Sequence, residues 1–560
     1  CRASMATIMR IPGFRGTYRD DPDALGVYSE AAGIARIRPR GVAVPVDGDD
    51  VVTLVQWAHA TGTPLVARGA GSSMAGGAIG DGLVVDLTAL DAIGPVDVAA
   101  RRVRVGAGAI RDAVDRAARA HGLWFPVDPS SGAWATIGGM VATNAAGAHA
   151  LALGAMRAWV TALDCVFDDG TRAWVTRGAE LPVQSRHVPA LRRFGTQAQA
   201  MVLTTAMAAP VARVAHDGVR KESSGYALAA FARSGDVVDL LVGSEGTLAL
   251  VVGAELALAP VPGGRAALSA TFPTLESAVD AAGRAAGLGA ATCELLDRTF
   301  LDVVRRHGTQ VDVPAETEAL LLADAEGMTP ADAESVAAMI AEGFREAGAL
   351  AVQRAAAPAA IEELWSVRHA ASPILAAMAP AVVSMQFVED GAVPPIALPE
   401  YVRSIRRILE HHGLEAAIFG HAGDAHVHVN PLVDVTHPDW RARVEGVLAE
   451  VTALTAALGG TLAGEHGDGR LRTPLLDKVW SSEAVLLFEV VKRAFDPRGL
   501  LNPGVKVPLP GQRPLDAIKY DPALPPLPPA ARAALAHVAS ERAYATPRLA
   551  LLERFAAVVA

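Results

Sequence analysis

Two hydrophobic periods alternate along this chain. The β-branched run "GVAVPV" (41–46) reads as a strand, "DDVVTLVQWAHATG" (49–62) spaces its apolar residues helically between an opening Asp and a closing Gly, and "TPLVAR" (63–68) is again extended. The rhythm continues through "GLVVDL" (82–87), "RRVRVGAG" (101–108) and the helix "AIRDAVDRAARAHG" (109–122). Strands are then predicted at "VTALDCVFDDGTRAWVT" (160–176) and along "DLLVGSEGTLALVVGAELALAP" (239–260). After Pro260, strands such as "RAALSATF" (265–272) and "ALLLADAEG" (319–327) alternate with alanine-rich helices, an α+β layer that looks like a second domain. Residues 1–39 are polar and broken by Gly and Pro, so an arm wrapped over a domain is expected. The chain closes on "FDPRGLLNPGVKVPLP" (495–510), a Pro-rich linker, and a terminal stretch read as helical and peripheral.

Bulk properties narrow the class. A chain of 560 residues exceeds a single core, and a net charge of -10 with no Lys/Arg-rich run gives no field for nucleic acid. Three scattered cysteines (Cys1, Cys165, Cys293) build neither a disulfide framework nor a Cys-ligated metal site, which fits a reducing cytoplasm, with peripheral membrane attachment left open. No run approaches the roughly 18 apolar residues of a membrane span. The chain opens on Cys1 rather than Met, and residues upstream are expected.

Candidate chemistry falls in two kinds of segment. "VARGAGSSMAGG" (66–77) leaves a predicted strand and offers unobstructed backbone amides, a cradle for an anion such as a nucleotide phosphate; Met74 occupies the third-glycine place, so no Rossmann fingerprint exists. "IGGMVATNAAG" (137–147) and "GSEGTL" (243–248) repeat the theme beside other strands. The second kind is "AAIFGHAGDAHVHVNP" (416–431), read as a hairpin. Strand alternation puts His426, His428 and Asn430 on one face, and the turn can bring His421 near His428. Two imidazoles and a carboxylate suit Zn²⁺ or Mn²⁺, and Glu465 in "GGTLAGEHGDGRLR" (459–472), beside His466, is the available carboxylate. An exposed polar hairpin explains the same residues equally well.

In order and spacing, "PLVARGAGSS", "IGGMVATNAAG", "GSEGTL", "GHAGDAHVH", "GEHGDGR" and "LLNPG" resemble the FAD-dependent oxidoreductases of the vanillyl-alcohol-oxidase / p-cresol-methylhydroxylase (PCMH) type. Within them the chain is similar to the D-lactate, D-2-hydroxyglutarate and glycolate dehydrogenase branch. The resemblance implies an α+β fold: a PCMH-type FAD-binding domain of two subdomains at 40–262, a cap with antiparallel sheet carrying substrate and metal at 263–485, a segment returning to the FAD domain at 486–507, and a linker with terminal helices at 508–560. It implies that Arg68, Gly69, Ala70, Gly71, Ser72, Ser73, Gly76 and Gly77 hold the FAD pyrophosphate. Pro129, Ser130, Gly138, Gly139, Thr143, Asn144 and Gly147 would line diphosphate and isoalloxazine; Gly243, Glu245, Gly246 and Thr247 the adenosine and ribityl portion; Asn502 would lie near the ring. No histidine or cysteine is placed to tether the flavin, so FAD is expected to be non-covalent, with His149 a packing residue.

The same resemblance implies a divalent metal on His421, His428 and Glu465 beside the flavin, and His466 as catalytic base. His426 stands where relatives carry asparagine and is either a spare ligand or directed elsewhere. Arg368, in a "LWxxR" motif, is expected to take a substrate carboxylate, with Ser372 one turn on and Asn430 adding hydrogen bonds. Dicarboxylate-oxidising relatives carry a cation near Val388 and Glu389; its lack here favours a D-lactate-like over a D-2-hydroxyglutarate-like substrate, while Asn430 argues the other way. Without a cysteine-rich iron–sulfur extension, electrons are expected to pass to a quinone, a cytochrome, an electron-transfer flavoprotein, a separate iron–sulfur subunit or O₂. Rival readings are a zinc hydrolase, which has no use for three nucleotide cradles, and an O₂-using alcohol or sugar oxidase of the same fold, which lacks the metal trio.

Overall fold

The computed structural model describes residues 11–207, 214–306, 313–376 and 381–559, the side chains of 304, 369–376 and 558–559 excepted. The predicted strand–helix–strand unit is present: Gly41–Val44 and Leu65–Arg68 flank the central strand Leu83–Asp86, both parallel to it. The helix between them, Gly48–Thr61, starts where Asp47 accepts from the Asp49 and Asp50 amides and stops at Gly62, whose φ of 73° lies in the left-handed region. Residues 17–19 add an antiparallel edge strand. The N-terminal arm is therefore partly built into the sheet rather than laid over it, and Tyr28 is fully buried with its hydroxyl donating to Asp86 at 2.5 Å.

A second, antiparallel sheet runs in the order Arg102–Gly106, Leu250–Ala257, Val160–Val166, Arg172–Thr176. One expectation fails here. Residues Val237–Leu241 form a helix, not a strand, because the Asp236 carboxylate caps the Val238 amide; Glu245 and Gly246 then both take positive φ, so only Leu250–Ala257 is extended. The third sheet, of eight strands, has the hairpin Glu415–His421 and His426–Asp434 near one end. Its strand Thr292–Asp297 is buried at every position and pairs Leu295 with Gly420, which sets Glu294 beside His421. Each sheet has its own apolar cluster. The loops between the sheets are left to enclose one common cavity.

Candidate active site

Strand Leu65–Arg68 delivers the first glycine loop, and Ile110–Thr136 bridging delivers the second. They meet closely: a Cβ on Gly69 would lie 2.1 Å from Thr136 Oγ1, and Gly71 needs φ +71°. Only glycine satisfies both. A cavity of ≈ 1570 Å³ opens between these loops and the hairpin, larger than the roughly 300–1,000 Å³ typical of a small-ligand pocket and suited to a dinucleotide plus substrate. Arg68 to Ser73, Gly77, Pro129, Ser130, Gly138, Gly139, Thr143, Gly147, Glu245 and Gly246 line it. This amide-rich, side-chain-poor wall fits the FAD that the motifs imply.

Several expected cofactor residues act differently. Gly76, Asn144, Gly243, Thr247 and Asn502 are not in the cavity wall. Asn144 receives the Arg157 amide at 2.9 Å, Thr247 Oγ1 lies 2.7 Å from the Tyr226 hydroxyl, and Asn502 donates to Gly77 O and Glu245 O, so these side chains tie segments to one another. Arg68 contributes backbone to the wall, yet its guanidinium is buried and donates to the carbonyls of Tyr28, Glu30 and Ala78. It is no phosphate-binding cation. Glu245 accepts from the Asp468 and Gly469 amides and pairs with Lys506, fixing the loop that carries Glu465 and His466.

At the other end, His421 pairs with His426 and Phe419 with His428 across the hairpin, which puts all three imidazoles on one face as alternation predicts. His428 Nδ1 lies 3.0 Å from Glu389 O, and His421 Nδ1 is held by the Glu294 carboxylate. Both partners can only accept, so each neutral ring keeps its proton on Nδ1 and turns the Nε2 lone pair inward. Those Nε2 atoms stand 3.5 and 3.4 Å from Glu465 Oε1. Two ligands bonded at roughly 2.1 Å with a tetrahedral angle are about 3.4 Å apart, so the donor set and spacing fit a divalent metal. Burial opposes charge on His421, but the Glu294 carboxylate outweighs it and, with Glu465, holds the imidazole up at about 9. The cluster attracts positive charge, proton or metal ion alike. His426 sits in the same cluster: its Nε2 bonds Asp390 Oδ1 at 2.8 Å, its buried Nδ1 has no hydrogen-bond partner among the described residues, and burial pushes the ring down to about 4, so it remains a spare ligand for the same ion.

His466 shares the site. Its Nε2 is 3.6 Å from Glu465 Oε1 and its Nδ1 3.0 Å from Glu389 Oε1; burial disfavours its charge, yet Asp390, Glu389 and Glu465 raise it to about 9. A cation held by Glu465 pulls that value down by the same Coulomb interaction. Arg368 Nε donates to Glu294 at 3.3 Å, and its guanidinium lies 4.5 Å from the centre of the Phe419 ring. Its terminal nitrogens make no hydrogen bond among the described residues, and Arg368 lines the cavity, as does Asn430. Ser372 falls where side chains lie outside the described residues.

Sequence reasoning missed the residues that orient this cluster. Lys221 is buried, with Nζ 3.2 Å from Glu465 Oε2 and 3.0 Å from Gly147 O, so it joins the metal-site carboxylate to the second glycine loop. Glu294 bridges His421 and Arg368, and burial, which raises it, is overcome by His421, Arg368 and Lys221, leaving it at about 2. Glu389 braces His466 and pairs with the buried Arg472. A lone Glu in the apolar strand "TCELLD" was the only local signal for Glu294.

A flavin-sized cavity walled by glycine loops and bordered by a carboxylate-braced histidine cluster is the arrangement an FAD-dependent oxidoreductase of the PCMH type requires. Residues 39–176 match the FAD binding domain, and residues 261–505 match the C-terminal domain of FAD linked oxidases. The D-lactate dehydrogenase of Archaeoglobus fulgidus is 30% identical over 83% of this chain and 90% of its own length. Glycolate oxidase subunit GlcD of Escherichia coli is 28% identical over 90% of each chain, and the D-2-hydroxyglutarate dehydrogenase of Pseudomonas putida 29% identical over 89% of this chain and 51% of that one. The chain belongs to the FAD-linked oxidase family, in the branch of D-lactate, glycolate and D-2-hydroxyglutarate dehydrogenases. A 4-ethylphenol oxidase from Gulosibacter chungangensis shares the fold, with a TM-score of 0.63 and 15% identity over 88% of this chain and 94% of that one. Among the described residues no helix is long and apolar enough to cross a membrane.

Proposed function

We propose that the protein oxidises a D-2-hydroxy acid to the 2-oxo acid, with a D-lactate-like monocarboxylate preferred over D-2-hydroxyglutarate. When bound, FAD supplies the two-electron acceptor for the α-hydrogen and a divalent cation, Zn²⁺ or Mn²⁺, supplies Lewis acidity at the substrate hydroxyl. His421, His428 and Glu465 are the residues that would hold the cation, with Glu294, the Glu389 carbonyl and Lys221 orienting them. Arg368 takes the substrate carboxylate in its open fork, backed by Phe419. His466 accepts the hydroxyl proton at Nε2 while Glu389 holds Nδ1 and so fixes the ring. Asn430 adds a hydrogen bond to substrate.

Support for the substrate preference comes from the position where dicarboxylate enzymes carry a cation. Val388 is in the core, and Glu389 is already paired with His466 and Arg472. A second substrate carboxylate would meet a carboxylate there. The reading rests above all on one observation: the glycine loops, the His/His/Glu cluster and the open Arg368 fork face a single cavity. Its test is to purify the protein, record its visible spectrum and metal content, and titrate D- and L-2-hydroxy acids while following flavin bleaching. Bleaching by D-lactate at lower concentration than by D-2-hydroxyglutarate or L-lactate is expected; no flavin band, or bleaching by L-acids alone, overturns it.

A further inference from the structure

Residues 506–560 lie beyond both family matches, and their Pro-rich start reads as a linker to something peripheral. They are not peripheral. Helix Pro529–Glu541 buries Ala531 and Ala534 in one cluster with Val27 and Tyr28, packed so closely that a Cβ on Gly26 would sit 2.9 Å from that of Ala531. The chain then doubles back into Arg548–Val559, and the buried Arg548 donates from Nη2 to Ala70 O, in the first glycine loop, at 2.9 Å. Between the two helices, Tyr544 and Arg542 enter the wall of the cofactor cavity, with Tyr544 6.1 Å from the Trp134 ring and the Arg542 guanidinium 5.8 Å from it. Trp134 stands two residues before Thr136, the residue that touches Gly69.

Two features single out Arg542. Its backbone holds φ 53°, the left-handed position that ends a helix, that glycine usually fills and that strains an arginine. And its guanidinium makes no hydrogen bond or ion pair among the described residues, whereas Arg68, the arginine of the glycine loop itself, is committed to carbonyls. The phosphate-binding loops thus provide amide dipoles without a free cation, and the tail provides the cation without an anion. Strain kept for a side chain that stacks on Trp134 yet has no hydrogen-bond or charged partner among the described residues points to an anionic ligand.

We propose that the C-terminal helix pair is a part of the cofactor site that covers the glycine loops, and that Arg542, shelved on Trp134, pairs with the diphosphate of bound FAD. This rests on the family's use of FAD. Reaching past the dipoles of the loops, a guanidinium fork adds full charge and two-pronged geometry to a phosphate group.

The test uses flavin-free protein titrated with FAD, following quenching of flavin fluorescence at low and high salt, for native protein and R542A, R542G and R542K. Glycine relieves the backbone strain while removing the charge, so R542G separates the two effects, and thermal unfolding of each flavin-free variant confirms the fold. R542A and R542G are expected to weaken FAD binding by about ten- to a hundred-fold and to lose much of its salt dependence, with R542K intermediate. R542G binding FAD within two-fold of native, or weakened binding with undiminished salt dependence, overturns the proposal. Native protein that binds no FAD refutes the family reading instead, and the two failures are distinct.

Discussion

His149 stands between the two halves of the cofactor cavity, and its charge should make the protein's stability depend on pH in one direction only. Its Nδ1 lies 2.6 Å from Asp128, the residue ahead of Pro129 and Ser130, and its Nε2 3.2 Å from Glu326 at the end of a strand in the eight-stranded sheet. Burial works against the imidazolium, but the two carboxylates outweigh it and raise the group from 6.5 to about 10. Because the folded value is raised, the stabilisation is complete below about pH 6.5 and is lost as pH climbs through 10. Linkage between those values gives at most about 4 kcal/mol at pH 7 and about 1.4 kcal/mol at pH 9. H149Q keeps much of the volume and removes the charge, together with the edge-on packing against Trp124. Urea midpoints of native protein and H149Q, measured every half unit from pH 6 to 10, should show a gap that narrows steadily as pH rises. Subtracting the two curves cancels every group that titrates alike in both. A gap that stays level, or widens toward pH 10, refutes the bridge.

Other outcomes follow from the cluster. H466A should lower kcat by roughly 10²–10⁴ while leaving the flavin spectrum unchanged, and near-native turnover would remove His466 from the mechanism. E294Q, which removes the carboxylate charge and leaves a single acceptor oxygen for both His421 Nδ1 and Arg368 Nε, should weaken metal binding about 10- to 100-fold by metal titration, with flavin content intact. A chelator should abolish turnover reversibly, and Zn²⁺ or Mn²⁺ alone among common divalent ions should restore it; full activity in demonstrably metal-free protein contradicts the metal reading. R368K should lower kcat/KM for 2-hydroxy acids about 10- to 100-fold, since a lysine presents a point charge where the carboxylate needs a fork.

The hairpin was legible because its histidines obey a local rule. Alternation with Val427 and Val429 fixes the shared face of His426 and His428, and the turn at Ala422–Ala425 fixes the pairing with His421. Glu465 was legible from composition, as a carboxylate in a glycine-flanked bend beside a histidine. Glu294, Lys221, Glu389 and Arg472 obey no such rule. Each is a single charge in its own segment, and each acquires a purpose only through a partner: Lys221 meets a carboxylate 244 residues away, and Glu294 a histidine 127 away. Strand Thr292–Asp297 is buried on both faces, so periodicity could not even say which way Glu294 points. The glycine motifs misled in a more instructive way. They identify backbone that approaches a ligand and say nothing about the side chains riding on it: the Arg68 guanidinium, inside the motif, is a structural strut. Which cations are free is decided by pairing across the whole fold. That principle separates Arg68 from Arg542: the arginine inside the motif has its hydrogen-bond partners already, and the one far outside it, in a tail whose alanines give almost no amphipathic signal, lines the cavity with no hydrogen bond or ion pair among the described residues.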